Sequence, residues 1–161
     1  MTTEEYNISV ENFSDGAYRF ILKNIRDQNK AQDIVQDTYE KLWINVSIVD
    51  FKKVKSYIFS TAYHTMIDLI RREKRKVDFE EVNLLDYSHS EHYSDLNEIL
   101  NEAIDKLPDI QKSVVLLRDY EGYSYKEIAE ITNLNESQVK VYIFRARKYL
   151  KNYIVSTEVV V

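Results

Sequence analysis

The sequence predicts an all-α fold: two small helical domains joined by an acidic linker, the C-terminal one a helix-turn-helix. Three observations carry this. Apolar residues recur at helical spacing in several segments. Only 2 Gly and 1 Pro interrupt 161 residues, which disfavours a fold of many tight turns. Capping residues bracket the last segments. The length suits one large domain or two small ones. Apolar residues make up 44% and charged residues 30%, as in ordinary globular chains. The absence of Cys excludes a disulfide framework, a thiolate metal site and a Cys nucleophile, and it fits a reducing compartment. No apolar run approaches the roughly 18 residues of a membrane span. The N-terminus, MTTEEYNISVENF, lacks the basic start and apolar stretch of a secretory signal. A cytosolic, cytoplasmic protein is expected.

The elements follow in order. A first helix is expected over 13–25, with Phe13, Ala17, Phe20, Ile21 and Ile25 inward. A second covers 33–46: Ile34, Val35, Tyr39, Leu42, Trp43 and Val46 share a stripe, and Asp33, Gln36, Asp37 and Glu40 lie off it. A third covers 54–76, with the stripe Val54, Ile58, Ala62, Met66, Leu69 and Ile70. It ends in Arg71, Arg72, Lys74, Arg75 and Lys76, which suit the negative end of the helix dipole. Three such helices make a small but feasible core, so 1–77 is read as the first domain.

Residues 78–97 carry six acids (Asp78, Glu80, Glu81, Asp86, Glu91, Asp95) and no Lys or Arg. They lack periodicity and read as a linker. His89 and His92 lie between Asp86 and Asp95, but two His and flanking acids in a polar segment are usually just solvated, so no metal is expected. The second domain, 98–154, is punctuated clearly. Pro108 fits the first turn of a helix, and Gly122 is placed to stop it in a left-handed conformation. Ser124 and Glu127 form a capping box for a short helix. Asn133 suits the left-handed turn. Asn135 and Gln138 cap a long helix through Tyr153. Ala129 fits a close helix crossing, with Leu134 and Val139 plugging the core. Short helix, turn with Asn and second helix are the layout of a helix-turn-helix. For the tail, 155–161, the residues suggest no role.

The net charge of −5 hides a pattern. Residues 1–77 carry 13 basic and 11 acidic side chains, and 98–161 carry 9 and 10. From Gln138 to Lys151 there are five bases (Lys140, Arg145, Arg147, Lys148, Lys151) and no acid. Charge alone fits either two solvated helix ends or a polyanion site. The capped helix-turn-helix with a basic second helix favours nucleic acid.

Two segments together resemble a known family. DIVQDTYEKLW (33–43) with SYIFSTAYHTMIDLIRREKRK (56–76) resembles the second conserved domain of bacterial RNA polymerase sigma factors, and 107–152 resembles the fourth. With only a short linker between them, the layout is similar to the extracytoplasmic-function (ECF) group. The resemblance implies a promoter-directing subunit that binds core RNA polymerase and promoter DNA. Asp33, Gln36, Asp37 and Glu40 would face the polymerase clamp helices. Phe51, Lys52 and Lys53, with His64, Asp68, Arg71, Arg72, Lys74 and Arg75, would take the melted minus-ten element. Gln138, Lys140, Val141, Phe144 and Arg145 would read the minus-thirty-five element. His64 stands where the family more often has Asn, and Gln138, Val141 and Tyr142 where it often has Thr, Ser and Arg. An altered sequence preference is expected: Val141 could touch a thymine methyl, and Gln138 could address adenine although helix capping competes for its amide. An inhibitory anti-sigma partner is also implied.

A stand-alone helix-turn-helix regulator would explain only the second domain. An enzyme is disfavoured: no Gly-rich phosphate loop, H-E-x-x-H or nucleophile elbow is present, and His64 four residues before Asp68 is a common helical pair. No cofactor and no small-molecule substrate are expected. The acidic linker could fold back on the basic helices and suppress promoter binding.

Overall fold

The computed structural model describes residues 1–79 and 96–159, and among them all regular structure is helical. The linker's central residues, with His89, His92 and the expected fold-back, lie outside the described residues.

Helix α1 spans Thr3–Ile25, ten residues earlier than its apolar stripe suggests. Thr2 and Glu5 explain the early start. The Thr2 hydroxyl accepts from the Glu5 amide at 3.1 Å, and the Glu5 carboxylate accepts from the Thr2 amide at 2.9 Å. This reciprocal box satisfies two otherwise unpaired donors. The added turns carry Tyr6, whose hydroxyl donates to the Tyr39 carbonyl at 3.1 Å. Helix α2 spans Gln28–Ile44, capped by the Asp27 carboxylate on the Lys30 amide. It ends two residues short of Val46. Ile34, Tyr39 and Leu42 are buried as expected, but Trp43 is half exposed, its ring edge against Tyr6 at 5.1 Å. A 3-10 turn, Phe51–Lys53, leads into α3, Val54–Phe79. Val54, Ile58, Ala62 and Met66 are buried against α1 and α2.

The second set begins with α4, Leu96–Asp105, so two residues at each end of the acidic stretch are helical. Helix α5 spans Asp109–Val115 with Pro108 as its N-cap, one position outside the helix. It runs on as a wider π turn, Leu116–Tyr120, which sets Leu116 and Leu117 fully inside. Gly122 then turns the chain at φ +77°. Helices α6, Tyr125–Thr132, and α7, Glu136–Val159, complete the chain, with Asn133 left-handed between them at φ +61°. Val139 is buried, and Ala129 and Leu134 pack against the core.

The two sets pack on each other, chiefly α3 on α6. Tyr123, just before α6, is 1% exposed, and its ring meets Phe59 of α3 edge-on at 5.1 Å. Burial pushes the Tyr123 phenol well above its ordinary pKa. Asn24, in the last turn of α1, takes a hydrogen bond from Ser113 Oγ on its side-chain carbonyl at 2.8 Å. Lys112 Nζ donates to the Asn24 main-chain carbonyl, as the negative end of α1 favours. One apolar core therefore continues through both sets.

The cap of α6 is the clearest local test. Ser124 Oγ accepts from the Glu127 amide at 3.1 Å, and Glu127 returns the bond at 3.0 Å. Ser124→Ala should lower unfolding free energy by about 1 kcal/mol in urea titration. The Glu127 carboxyl is held below its usual range, first by the Ser124 amide. Its contribution is therefore present above the unfolded carboxyl pKa and fades as pH falls through the folded one. The gap in urea midpoint between the native chain and Glu127→Ala should be wide near neutrality and narrow as the medium is acidified.

Candidate nucleic-acid interface

Helix α7 presents its second turn to solvent. Gln138, Lys140, Val141, Phe144 and Arg145 are all exposed, while Val139, Ile143 and Ala146 between them are buried. The 3.6-residue period divides the helix this way: one side plugs the core and the other is left bare. Val141 is 45% and Phe144 69% exposed. Two bare apolar side chains three residues apart, flanked by Lys140 and Arg145, are unlike an ordinary solvated face. Phe144 borders a groove of about 520 Å³ that Tyr125, Lys140, Lys148 and Lys151 also line. Arg147, by contrast, is engaged. It forks onto Asp119 at 2.6 and 3.2 Å, and that bond raises its pKa further. Among the described residues no salt bridge engages Lys140, Arg145 or Lys148.

Capping and reading compete at Gln138, and capping takes the carbonyl end. Gln138 Oε1 accepts from the Asn135 amide at 3.0 Å, and the Gln138 amide donates to Asn135 Oδ1 at 2.8 Å. The side-chain carbonyl is thereby held toward the start of its own helix, so a two-point contact with adenine competes with the cap, whereas the NH₂ takes no part in it.

The minus-ten candidates do not form one open surface. Lys52, Lys53, Asp68, Arg71, Arg72, Lys74 and Arg75 are exposed, and Phe51 is half-buried against the core. Among the described residues Arg71, Arg72 and Arg75 form no salt bridge, but Lys74 donates to Asp109 of α5 at 3.0 Å. His64 lies against the other set. Its Nδ1 is 2.7 Å from the Ser60 carbonyl, which only accepts, so Nδ1 carries the proton. In the neutral ring Nε2 is then an acceptor, and Asn133 Nδ2 stands 3.2 Å from it. The nitrogen that would meet a base already has a donor.

Asp33, Gln36, Asp37 and Glu40 all lie exposed on α2. Asp33 and Asp37 share a small groove of about 170 Å³ with Arg72 of α3. Beside them lies a patch that the sequence reading missed: Trp43 at 50%, Ile44 at 75% and Ile48 at 78% exposure. Ile44 and Ile48 sit off the inward stripe, and that was the available signal. Among the described residues no three His, Asp or Glu converge as a metal site, and no helix is long and apolar enough to cross a membrane.

Comparison with known proteins matches both halves. Residues 10–76 match the model of sigma-70 region 2, and 97–150 match that of sigma-70 region 4. The chain is 34% identical to the RNA polymerase sigma factor SigV of Bacillus subtilis over 83% of this chain and 81% of that one. It is 29% identical to the ECF RNA polymerase sigma factor SigM of the same organism, over 86% and 88%. The fold is shared with the sigma factor RpoE of Bartonella quintana, solved in complex with the anti-sigma factor NepR, at a TM-score of 0.79 and 19% identity, covering 94% of this chain and 98% of that one. Both ordered regions and the level of identity place the chain in the ECF group of RNA polymerase sigma factors, the subunits that direct promoter-specific initiation of transcription.

Proposed function

We propose a division of labour among the three exposed surfaces. The α2 face of Asp33, Gln36, Asp37 and Glu40 docks on a basic helical surface of core RNA polymerase, with Trp43, Ile44 and Ile48 as its apolar border. Phe51, Lys52 and Lys53, followed on α3 by His64, Asp68, Arg71, Arg72, Lys74 and Arg75, hold the melted minus-ten strand. The α7 face of Gln138, Lys140, Val141, Phe144 and Arg145 reads the minus-thirty-five duplex in its major groove. Residues 1–77 thus serve the polymerase and the minus-ten element, and 98–154 the minus-thirty-five element. The protein works in the cytoplasm without catalysis of its own, and an anti-sigma factor restrains it.

The physical roles follow from the residue types. Melting costs a few kcal/mol per unstacked step. Cations on phosphates and side chains stacked on splayed bases offset it, the latter by about 1–3 kcal/mol per base. Arg71, Arg72 and Arg75 are spaced to follow a backbone without reading sequence. On α7, Val141 and Phe144 cannot hydrogen-bond a base edge. Their chemical match in the major groove is the thymine methyl.

The observation that carries this reading is the pair of bare apolar side chains on a basic, solvent-facing helix. Uracil in place of thymine deletes the methyl and keeps every hydrogen-bonding group. Each methyl buried by Val141 or Phe144 contributes about 0.8 kcal/mol. Uracil at a contacted minus-thirty-five position should therefore weaken binding of the polymerase holoenzyme about fourfold. In Val141→Ala or Phe144→Ala the same replacement should have little effect. A thymine-to-uracil scan that is flat in the native protein would sink the methyl reading. The α2 face has its own test. Asp37→Lys combined with Glu40→Lys should lower affinity for core polymerase at least about tenfold in a titration at low salt. Full retention of affinity would remove that face from the interface. Failure of the native chain to bind core polymerase would instead favour a stand-alone DNA-binding regulator.

A further inference from the structure

We infer that Asp119 holds Arg147 back from the phosphate backbone and so trims the sequence-independent part of duplex binding by α7. The inference rests on the assignment of the α7 face to duplex DNA.

Spacing places Arg147 where a strand would pass. Lys140, Phe144, Arg147, Lys148 and Lys151 recur at helical intervals on α7 and, with Tyr125, border one groove of about 520 Å³. All five are exposed. Arg147 stands in the middle of this stripe, so a backbone that follows the stripe meets it between Lys140 and Lys151. Among the described residues Lys140, Lys148 and Lys151 form no salt bridge, whereas Arg147 does.

The shape of that bridge matters. Arg147 Nε donates to one Asp119 carboxylate oxygen at 3.2 Å, and Nη2 donates to the other at 2.6 Å. These two parallel N–H groups form the edge that an arginine turns toward a phosphate. Asp119 fills that edge, and its negative charge cancels the charge that a phosphate would meet. From Gln138 to Lys151 the helix itself supplies no carboxylate. The counter-charge is brought in from another element.

Asp119 is also held in place. It stands in the π turn Leu116–Tyr120 between two anchored neighbours. Arg118 Nη1 donates to the Tyr123 carbonyl at 2.9 Å, and its guanidinium lies over the Tyr125 ring at 4.6 Å. The Tyr120 ring lies under the Lys23 ammonium at 3.7 Å. With both neighbours fixed, little further entropy is lost in presenting the carboxylate to Arg147.

The consequence concerns DNA of any sequence. A phosphate contact strengthens every duplex alike and carries no sequence information. Withholding Arg147 lowers the affinity of α7 for unrelated DNA and leaves the contacts of Val141 and Phe144 with base edges untouched.

The test titrates the full chain with a fluorescent duplex of mixed sequence at several salt concentrations. Each phosphate met by a cation adds about 0.9 to the slope of log affinity against log salt. Asp119→Asn keeps the shape of the side chain and frees Arg147. Its slope should steepen by about 0.9, an extra loss of roughly 3.5-fold for a fourfold rise in salt. Arg147→Gln breaks the same bridge but frees no cation, so its slope should stay native, as should that of the double variant. A bridge with a merely structural role would move Asp119→Asn and Arg147→Gln alike. Glu98→Gln removes an equal charge at an exposed position of α4 and should leave the slope native. An unchanged slope in Asp119→Asn overturns the inference. So does a slope flattened by about 0.9 in Arg147→Gln, because Arg147 would then already sit on a phosphate. Lys140→Gln tests the premise and should flatten the slope by that amount. A response to Lys140→Gln without one to Asp119→Asn overturns the withholding and leaves the α7 assignment standing. No response to either overturns both.

Discussion

The constraint on which most of this structure depends is that one helix, α3, must satisfy three surroundings at once. Its stripe of Val54, Ile58, Ala62 and Met66 closes the core with α1 and α2. Phe59, one position off that stripe, bridges the two sets, its ring between Phe20 of α1 at 5.9 Å and Tyr123 at 5.1 Å. Its last turns carry Arg71, Arg72 and Arg75 into solvent. A surface helix normally buries an apolar stripe a little over 100° wide. Using a second face for another helical set leaves little of α3 open except its cationic end and the side of Asp68. The second set is therefore no separate bead on a tether. It completes the cover of α3, and the two sets share one continuous core.

How much of this was legible in the sequence depended on how local the chemistry was. The α6 cap, the left-handed Asn133 and the Asn135–Gln138 pair were readable because each is settled within four residues. The first turns of α1 were missed, although Thr2 and Glu5 are the same type of signal. The apolar stripe is thin there, and periodicity overrode the cap. Trp43 was drawn inward because it follows Leu42 on a stripe read too wide, whereas the helix turns its ring out toward Tyr6. The left-handed Arg26 at φ +55° was not foreseeable, since an arginine there costs about 1–2 kcal/mol against glycine. It lets α1 stop and its side chain reach Asp105. The seam itself was illegible. Arg19 and Glu121 stand 102 residues apart, and no spacing rule links them. The same non-locality explains His64, whose sequence position speaks of bases while its packing speaks of Asn133.

The contacts that join the two sets differ in how much each contributes. The salt bridges are weak individually. Lys74 and Asp109 are 71% and 43% exposed, and Arg26 and Asp105 38% and 42%, so each adds at most about 1 kcal/mol and is screened by salt. Only Arg19–Glu121 is partly sheltered. The apolar part centres on Tyr123 packed on Phe59 within the shared core, and the Tyr123 hydroxyl, buried without a partner, offsets part of what its ring contributes. The Asn24, Ser113 and Lys112 hydrogen bonds add about 1 kcal/mol each. Against these stands the entropy of holding two tethered bodies together. The contacts that join the two sets are thus mostly polar and solvent-screened around one well-buried aromatic centre.

The join between the sets mixes the shared apolar core around Tyr123 and Phe59 with one sheltered ion pair and two solvated ones. Among the described residues the three ion pairs across the join share one polarity, the cation on the first set (Arg19 and Arg26 from α1, Lys74 from α3) and the carboxylate on the second, so the charge of each set is partly met by the other and both ends of the join weaken together as salt rises.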